Sequence, residues 1–267
     1  MNICLIKISG KSISSFVKQQ MLKTQLQNLY DEYDGIVIVH GAGKEITEWS
    51  DKFGLESKFI DGQRVTSKEQ MKIVAAVQAG LINSELCAKI NAAGFSASGY
   101  SGIDRGTFVV NHMNPKLGFV GKPDLIGSIE WIINLLKDNV IPVFSSVCRD
   151  KEGNLVNVNA DIFAEQLAMY IDVRTVIFLS DVEGVKINGN IEQEITTKDI
   201  INGIKSGDIT DGMIPKLMSC SSLLENGIEK IWIGLTLNSL FNNKNNIING
   251  TWIKNSGTEY KKLKKTA

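Results

Sequence analysis

Five short runs of this chain, 3–8, 36–39, 140–144, 176–179 and 231–233, are apolar at nearly every position rather than at alternate ones. A strand with one face in water alternates polar and apolar residues, so unbroken runs require cover on both faces. Longer amphipathic segments separate the runs and supply the crossovers that parallel neighbours need. The pattern predicts a three-layer α/β/α sandwich with an open, mainly parallel central sheet. The reading is one domain over 1–267 with two lobes, about 1–170 and about 171–255, dividing near 170–173.

Charge narrows the partners. Lys plus Arg and Asp plus Glu both total 29, so no net field draws the chain to nucleic acid or anionic lipid, and a small-molecule ligand is expected. The four cysteines, Cys4, Cys87, Cys148 and Cys220, are scattered singly, with no C-x-x-C pair to clamp a metal or exchange thiols. Neither a leader nor an uncharged apolar stretch of about 18 residues stands out, so no membrane span is expected and a cytoplasmic protein is the reading.

Local signals set a few boundaries. Thr66 with Glu69 three residues on reads as a capping box for a helix over 68–93, which Gly94 closes. Within the irregular stretch 100–121, the alternation of 107–110 predicts a hairpin arm. Segments 242–249 and 261–267 are polar or basic and read as surface.

Two nucleotide motifs fail on inspection. Gly10-Lys11-Ser12 ends like a Walker A loop, but Leu5 stands where its first glycine belongs. Gly41-Ala42-Gly43 follows a strand, but Ile46 occupies the third glycine position of a dinucleotide fingerprint. What remains are turns at the C-terminal ends of strands, where open α/β sheets bind ligands.

Each turn has two readings. Lys7-Ile8-Ser9-Gly10 brings a cation out of a buried strand beside a glycine, suited to an approaching anion or to a snorkelling lysine. His40-Gly41-Ala42-Gly43 ends a strand and opens a helix near Lys44, whose free N–H groups favour an anion; a tight turn also needs glycine. His40 reads as a hydrogen-bonded structural residue rather than a base. Gly62-Gln63-Arg64-Val65-Thr66 holds one of only four arginines against 25 lysines. That scarcity suggests a need for the planar fork that grips a carboxylate, with a solvated arginine as the alternative.

Asn157-Val158-Asn159-Ala160-Asp161 sets three short polar side chains at alternate positions before a helix from Ile162. An Asp161 N-cap explains the aspartate but not the asparagine spacing. Ser180-Asp181-Val182-Glu183-Gly184-Val185 follows a strand and suits a nucleotide pocket, or is ordinary loop. Thr210-Asp211-Gly212-Met213-Ile214-Pro215-Lys216 leads into a helix with proline in its first turn. Lys216 there opposes the helix dipole unless an anion is present.

In this order and spacing, the six segments resemble the amino-acid kinase family, and within it the enzymes that phosphorylate the side-chain carboxylate of N-acetyl-L-glutamate in arginine biosynthesis. The resemblance covers nearly the whole chain and implies an N-terminal lobe holding the amino acid and a C-terminal lobe holding ATP. Lys7 and Lys216 are implied to stabilise the transferring phosphoryl group from two sides, with Asp161 orienting both ammonium groups. Gly10 and Gly43 would give N–H groups to phosphate oxygens, with Gly41 beside them. Ala42, Gly43, Arg64 and Asn157 would hold the amino acid, with Arg64 on its α-carboxylate. Asp181, Val182, Gly184, Val185, Lys186, Asp208, Ile209 and Thr210 would line the nucleotide pocket.

Magnesium is implied to arrive with ATP, so no metal ligand is assigned in the chain. A carboxylate nucleophile needs no proton removed, so a chain with two histidines lacks nothing for this chemistry. Against the family pattern, Ser9 replaces the first of two glycines and Ala42 the middle glycine of His-Gly-Gly-Gly, which leaves the acyl group open. The alternatives are a kinase for another blocked acidic amino acid, such as N-succinylglutamate or carrier-linked aminoadipate, and a noncatalytic nucleotide-binding member. Six residues precede Lys7, fewer than two helical turns at about 3.6 residues per turn. The expectation is a homodimer without the N-terminal helix that links arginine-inhibited members into hexamers.

Overall fold

The computed structural model describes residues 1–18, 21–210, 212–241 and 250–256. Its centre is an eight-stranded sheet in the order Glu194–Thr196, Gly250–Lys254, Lys230–Gly234, Thr175–Leu179, Ile3–Ile8, Gly35–His40, Val140–Ser145, Ser96–Ser101. The last six strands are parallel to one another, while Gly250–Lys254 runs antiparallel to Lys230–Gly234 and carries Glu194–Thr196 in its own direction. All five apolar runs are therefore strands of one sheet, each extended by a residue or so at its ends where it was cut short.

Successive side chains of a strand point to opposite faces, and both faces are apolar here. Ile3, Leu5, Val37, Val39, Val176 and Phe178 join one core with the helices Glu130–Lys137, Ala160–Tyr170 and Met213–Glu225. Cys4, Ile6, Ile8, Ile36, Ile38 and Ile177 join a second core with Leu22–Glu32, Gly43–Lys52 and the long helix from Lys68. Two cores separated by one sheet are why these strands carry no polar face. The hairpin arm is also present: Phe108–His112 pairs antiparallel with Gly121–Leu125.

The long helix departs from expectation in three ways. Its cap is Ser67, not Thr66: Ser67 Oγ accepts from the Gln70 N–H while Gln70 Oε1 accepts from the Ser67 N–H. Thr66 is withdrawn from capping because its backbone pairs with Leu117 and Phe119, leaving it extended and fully buried. The helix also changes winding, from Lys68–Val74 through a π-helical Ala75–Ile82 to Asn83–Ala92. Finally, 68–92 is long and apolar enough to cross a membrane by length and composition, with mean hydropathy 1.3 over its most apolar window. In this fold it lies on the sheet and directs Gln78 and Asn83 into hydrogen bonds with the strands. Gly94 closes it with φ of 94°.

All four cysteines are free thiols, and burial pushes the pKa of Cys4, Cys148 and Cys220 far up. The segments 242–249 and 261–267, read above as surface, lie outside the described residues, as does Asp211.

Candidate active site

Three cavities open along the C-terminal ends of the parallel strands, and five of the six segments singled out above form their walls, Lys7 to Gly10 standing behind them. Lys7 lies in the strand Ile3–Ile8 between Val39 and Phe178 of its neighbours. Its side chain is 8% exposed, and Nζ stands 2.6 Å from Asp161 Oδ1. Asp161 is free for this pairing because the helix Ala160–Tyr170 is capped by Asn159, whose side chain accepts from the Asp161 N–H. The helix thus begins two residues before Ile162, and the Asp161 cap considered above is not the one used.

Lys216 arrives from the other side, in the first turns of the helix Met213–Glu225, and donates to Ser180 Oγ. Burial pushes its pKa down; Asp161 opposes that shift and Lys7 adds to it, so the three charges share one field. Asp161 was expected to orient both ammonium groups. It contacts Lys7 directly, whereas Ser180 fixes Lys216 and Asp161 acts on it through space.

Two residues here escaped the sequence reading. Glu165 follows Asp161 by one turn on the same helix face, and Ser219 follows Lys216 in the same way. The Ser219 hydroxyl donates to Glu165, whose pKa burial raises, with Asp161 adding to the shift. Asp161, Glu165, Lys216 and Ser219 line a cavity of about 300 Å³. The i, i+4 and i, i+3 spacings were the available signal.

A second cavity, about 220 Å³, lies between the glycine turn and the 157–161 segment, and Gly41, Ala42, Gly43, Arg64, Asn157 and Asp161 line it. Arg64 is 8% exposed. Its guanidinium donates to Ser57 Oγ at 2.6 Å, Gly43 O at 2.9 Å and Thr47 Oγ1 at 2.7 Å, and sits 4.7 Å from the Phe59 ring centre. Among the described residues, no carboxylate lies within ion-pair reach of it. Burial lowers its pKa, with Asp51 opposing from further away. A buried cation without a counter-ion is costly and is relieved by an anion entering beside it. Asn157 Nδ2 donates to Thr66 Oγ1 at 3.0 Å, and Phe59, Gln78, Val120 and Ser146 are walls the sequence reading did not reach.

Gly10 lines none of the three cavities. It backs the glycine turn so closely that a Cβ there would lie 2.6 Å from Gly43 N, whereas a Cβ on Gly43 would meet nothing within 4 Å. The two departures from the family pattern have local explanations. Ser9 Oγ accepts from the Ser12 N–H and so caps the short turn Gly10–Ser12. Ala42 is 2% exposed and belongs to the apolar core beside Ile8 and Ile46.

The third cavity, about 530 Å³, gathers all eight residues expected around the nucleotide, Asp181, Val182, Gly184, Val185, Lys186, Asp208, Ile209 and Thr210, and adds Glu183, Met213 and Leu235. Leu235 follows the strand Lys230–Gly234, where the strand-end rule points. Lys11 reaches across to Asp181 at 2.6 Å and lowers its pKa. Thr251 Oγ1 accepts from the Val185 N–H and donates to Glu192 O, holding the pocket wall.

An open parallel sheet with two converging lysines, an anion-ready cavity on one side and a larger one on the other defines a small-molecule phosphotransferase. The chain belongs to the amino acid kinase family, whose model matches residues 2–234. It is 37% identical to an acetylglutamate kinase of Clostridium acetobutylicum over 238 residues, 85% of this chain and 80% of that one. It is 33% identical to the acetylglutamate kinase of Endomicrobium trichonymphae over 247 residues, covering 92% and 98% of the two chains. Among solved structures, a protein of Streptococcus mutans UA159 superposes with a TM-score of 0.81 at 28% identity, over 95% of this chain and 98% of that one.

Proposed function

We propose that this enzyme transfers the γ-phosphoryl group of ATP to the side-chain carboxylate of N-acetyl-L-glutamate, releasing ADP and N-acetyl-L-glutamyl 5-phosphate, the step that commits the acid to arginine biosynthesis. The observation that carries the acceptor side is Arg64, a buried guanidinium lining a small cavity and, among the described residues, paired with no carboxylate. Its fork receives the α-carboxylate. The compact volume of that cavity favours a small acceptor over a carrier-linked one.

The division of residues between the cavities supports a two-lobe reading. The acceptor cavity is lined by residues up to Asp161 and the nucleotide cavity by residues from Asp181 onward. An acceptor carboxylate oxygen attacks the γ-phosphorus as the bond to the bridging oxygen of ADP breaks. Charge gathers on the peripheral oxygens of a loose transition state, and fixed donors there supply most of the acceleration. Lys7, Lys216 and the N–H groups of the glycine turn are those donors. Asp161 holds Lys7 in place.

Magnesium that travels with ATP would neutralise its phosphate oxygens. Among the described residues no three of His, Cys, Asp and Glu converge on one point. Three carboxylates near the two lysines have partners of their own: Asp161 pairs with Lys7, Asp181 with Lys11, and Glu165 accepts from Ser219. The metal would be held by phosphate and water, as is usual for this ion.

We also place the enzyme in the cytoplasm as a homodimer. The outer edge of the strand Ser96–Ser101, the last of the sheet and unpaired among the described residues, is a surface that a second copy would cover. Light scattering should return twice the 29.4 kDa chain mass; a monomer or hexamer would refute the dimer. The function itself is tested by trapping the acyl phosphate with hydroxylamine. Hydroxamate from N-acetylglutamate, ATP and magnesium is expected, and its absence alongside turnover of another acylated acid would overturn the acceptor.

A further inference from the structure

The acceptor cavity has two walls, the glycine turn after His40 and the segment around Val158, and one buried side chain from the long helix joins them. Gln78 is 3% exposed and lines the cavity. Its Nε2 donates to the His40 carbonyl at 3.0 Å and to Ser146 Oγ at 3.0 Å. The Ser146 hydroxyl in turn donates to Val158 O at 2.6 Å. The direction of this relay is forced, since two of its members are carbonyls that only accept and Ser146 has a single hydrogen to give.

The winding of the helix makes the relay possible. Asn83, five residues on, reaches the same strand end, with Nδ2 3.0 Å from His40 Nε2 and 2.8 Å from Val143 O. In an α-helix, residues five apart diverge by about 140° at about 3.6 residues per turn. The i→i+5 turns of the π-helical stretch Ala75–Ile82 bring them back to one face. His40 then passes the restraint on, its Nδ1 standing 3.0 Å from Gly41 O. With Asn83 donating to Nε2, the ring proton sits on Nδ1 and fixes the carbonyl of the peptide that precedes the Ala42 N–H.

We infer that Gln78 is a positioning residue for the acceptor site: it sets the gap between the glycine turn and the Asn157–Asp161 wall, and with it the fit of the blocked amino acid, without touching the transferred phosphoryl group. This rests on the acceptor reading given above. A filler role would be met by any side chain of its size, whereas a relay needs both of its hydrogens.

The test is steady-state kinetics on Gln78→Met, which keeps length and loses both donors, with Ser146→Ala and the double variant. The KM for the acceptor should rise about tenfold in each single variant while the KM for ATP stays within about twofold, because the relay braces one cavity only. The double variant should be no worse than either single one, since both break one relay. Multiplying effects, equal rises in both KM values, or an unchanged acceptor KM would overturn the inference. If Gln78→Met does not fold, Gln78→Asn, too short to reach both partners, carries the same expectation. Variant and wild type are compared on whichever acceptor the wild type phosphorylates, so inactivity of the wild type toward N-acetylglutamate counts against the acceptor reading alone.

Discussion

Lys7 Nζ and Asp161 Oδ1 stand 2.6 Å apart although the two residues are 154 positions apart in sequence, because the helix that starts at Ala160 packs over the strand that carries Lys7. Asp161 also lines both the acceptor cavity and the cavity that contains Lys216, so the pair ties one ammonium group to the wall the two share. Lys216 stands opposite on Ser180.

Removing either ammonium group should act on the chemical step. Lys7→Ala and Lys216→Ala are each expected to lower kcat by about 10² to 10³, the usual cost of a lost transition-state donor, with smaller changes in KM. Asp161→Asn should fall between these variants and wild type, since Lys7 keeps its charge and loses its anchor. The hydroxamate assay reads all three, and full activity of Lys216→Ala would refute the assignment.

Arg64→Lys should raise the KM for the amino acid and leave that for ATP unchanged. A single ammonium group cannot replace donors to Ser57, Gly43 and Thr47 and also present a fork to a carboxylate. If both KM values rise together, Arg64 supports the fold instead.

Two glycines a few ångströms apart should respond differently to alanine. At Gly10 the new Cβ meets backbone at 2.6 Å, so the turn must shift, and both melting temperature and kcat should fall. At Gly43 the Cβ projects into open space, so melting should hold while the acceptor KM rises. Equal melting temperatures for the two variants would contradict this geometry.

His40 should make the fold sensitive to mild acid. Burial holds its pKa down at about 4, against 6.5 as the ordinary value, so the unfolded chain takes up a proton that the native state refuses. Stability from this source is complete above pH 6.5 and drains away as pH falls toward 4, by about 3 kcal/mol in all. Urea midpoints between pH 7 and 4 should fall less steeply in His40→Gln than in wild type; parallel slopes would place the acid sensitivity elsewhere.

Much of this protein is decided by local pattern. Strands buried on both faces admit only apolar residues, so the runs beginning at Ile3, Ile36, Val140, Val176 and Ile231 mark a covered parallel sheet before any contact is known. The turns that follow such strands fall at one end of the sheet, which is why Lys7 and the stretch from Asp181 to Lys186 sit there; Arg64 comes to the site on a two-residue strand outside that sheet, and Asp161 and Lys216 on helices. What only the tertiary structure decided depends on partners distant in sequence. The long helix is capped by Ser67 because Thr66 is claimed by Leu117 and Phe119. Lys216 is anchored by Ser180 rather than by Asp161. Glu165 and Ser219 meet because two helices pack, and Gln78 reaches His40 and Ser146 because the helix widens over Ala75–Ile82. A hydrogen bond is satisfied by whichever donor the fold brings within about 3 Å, and no spacing within one segment specifies that donor when it comes from another.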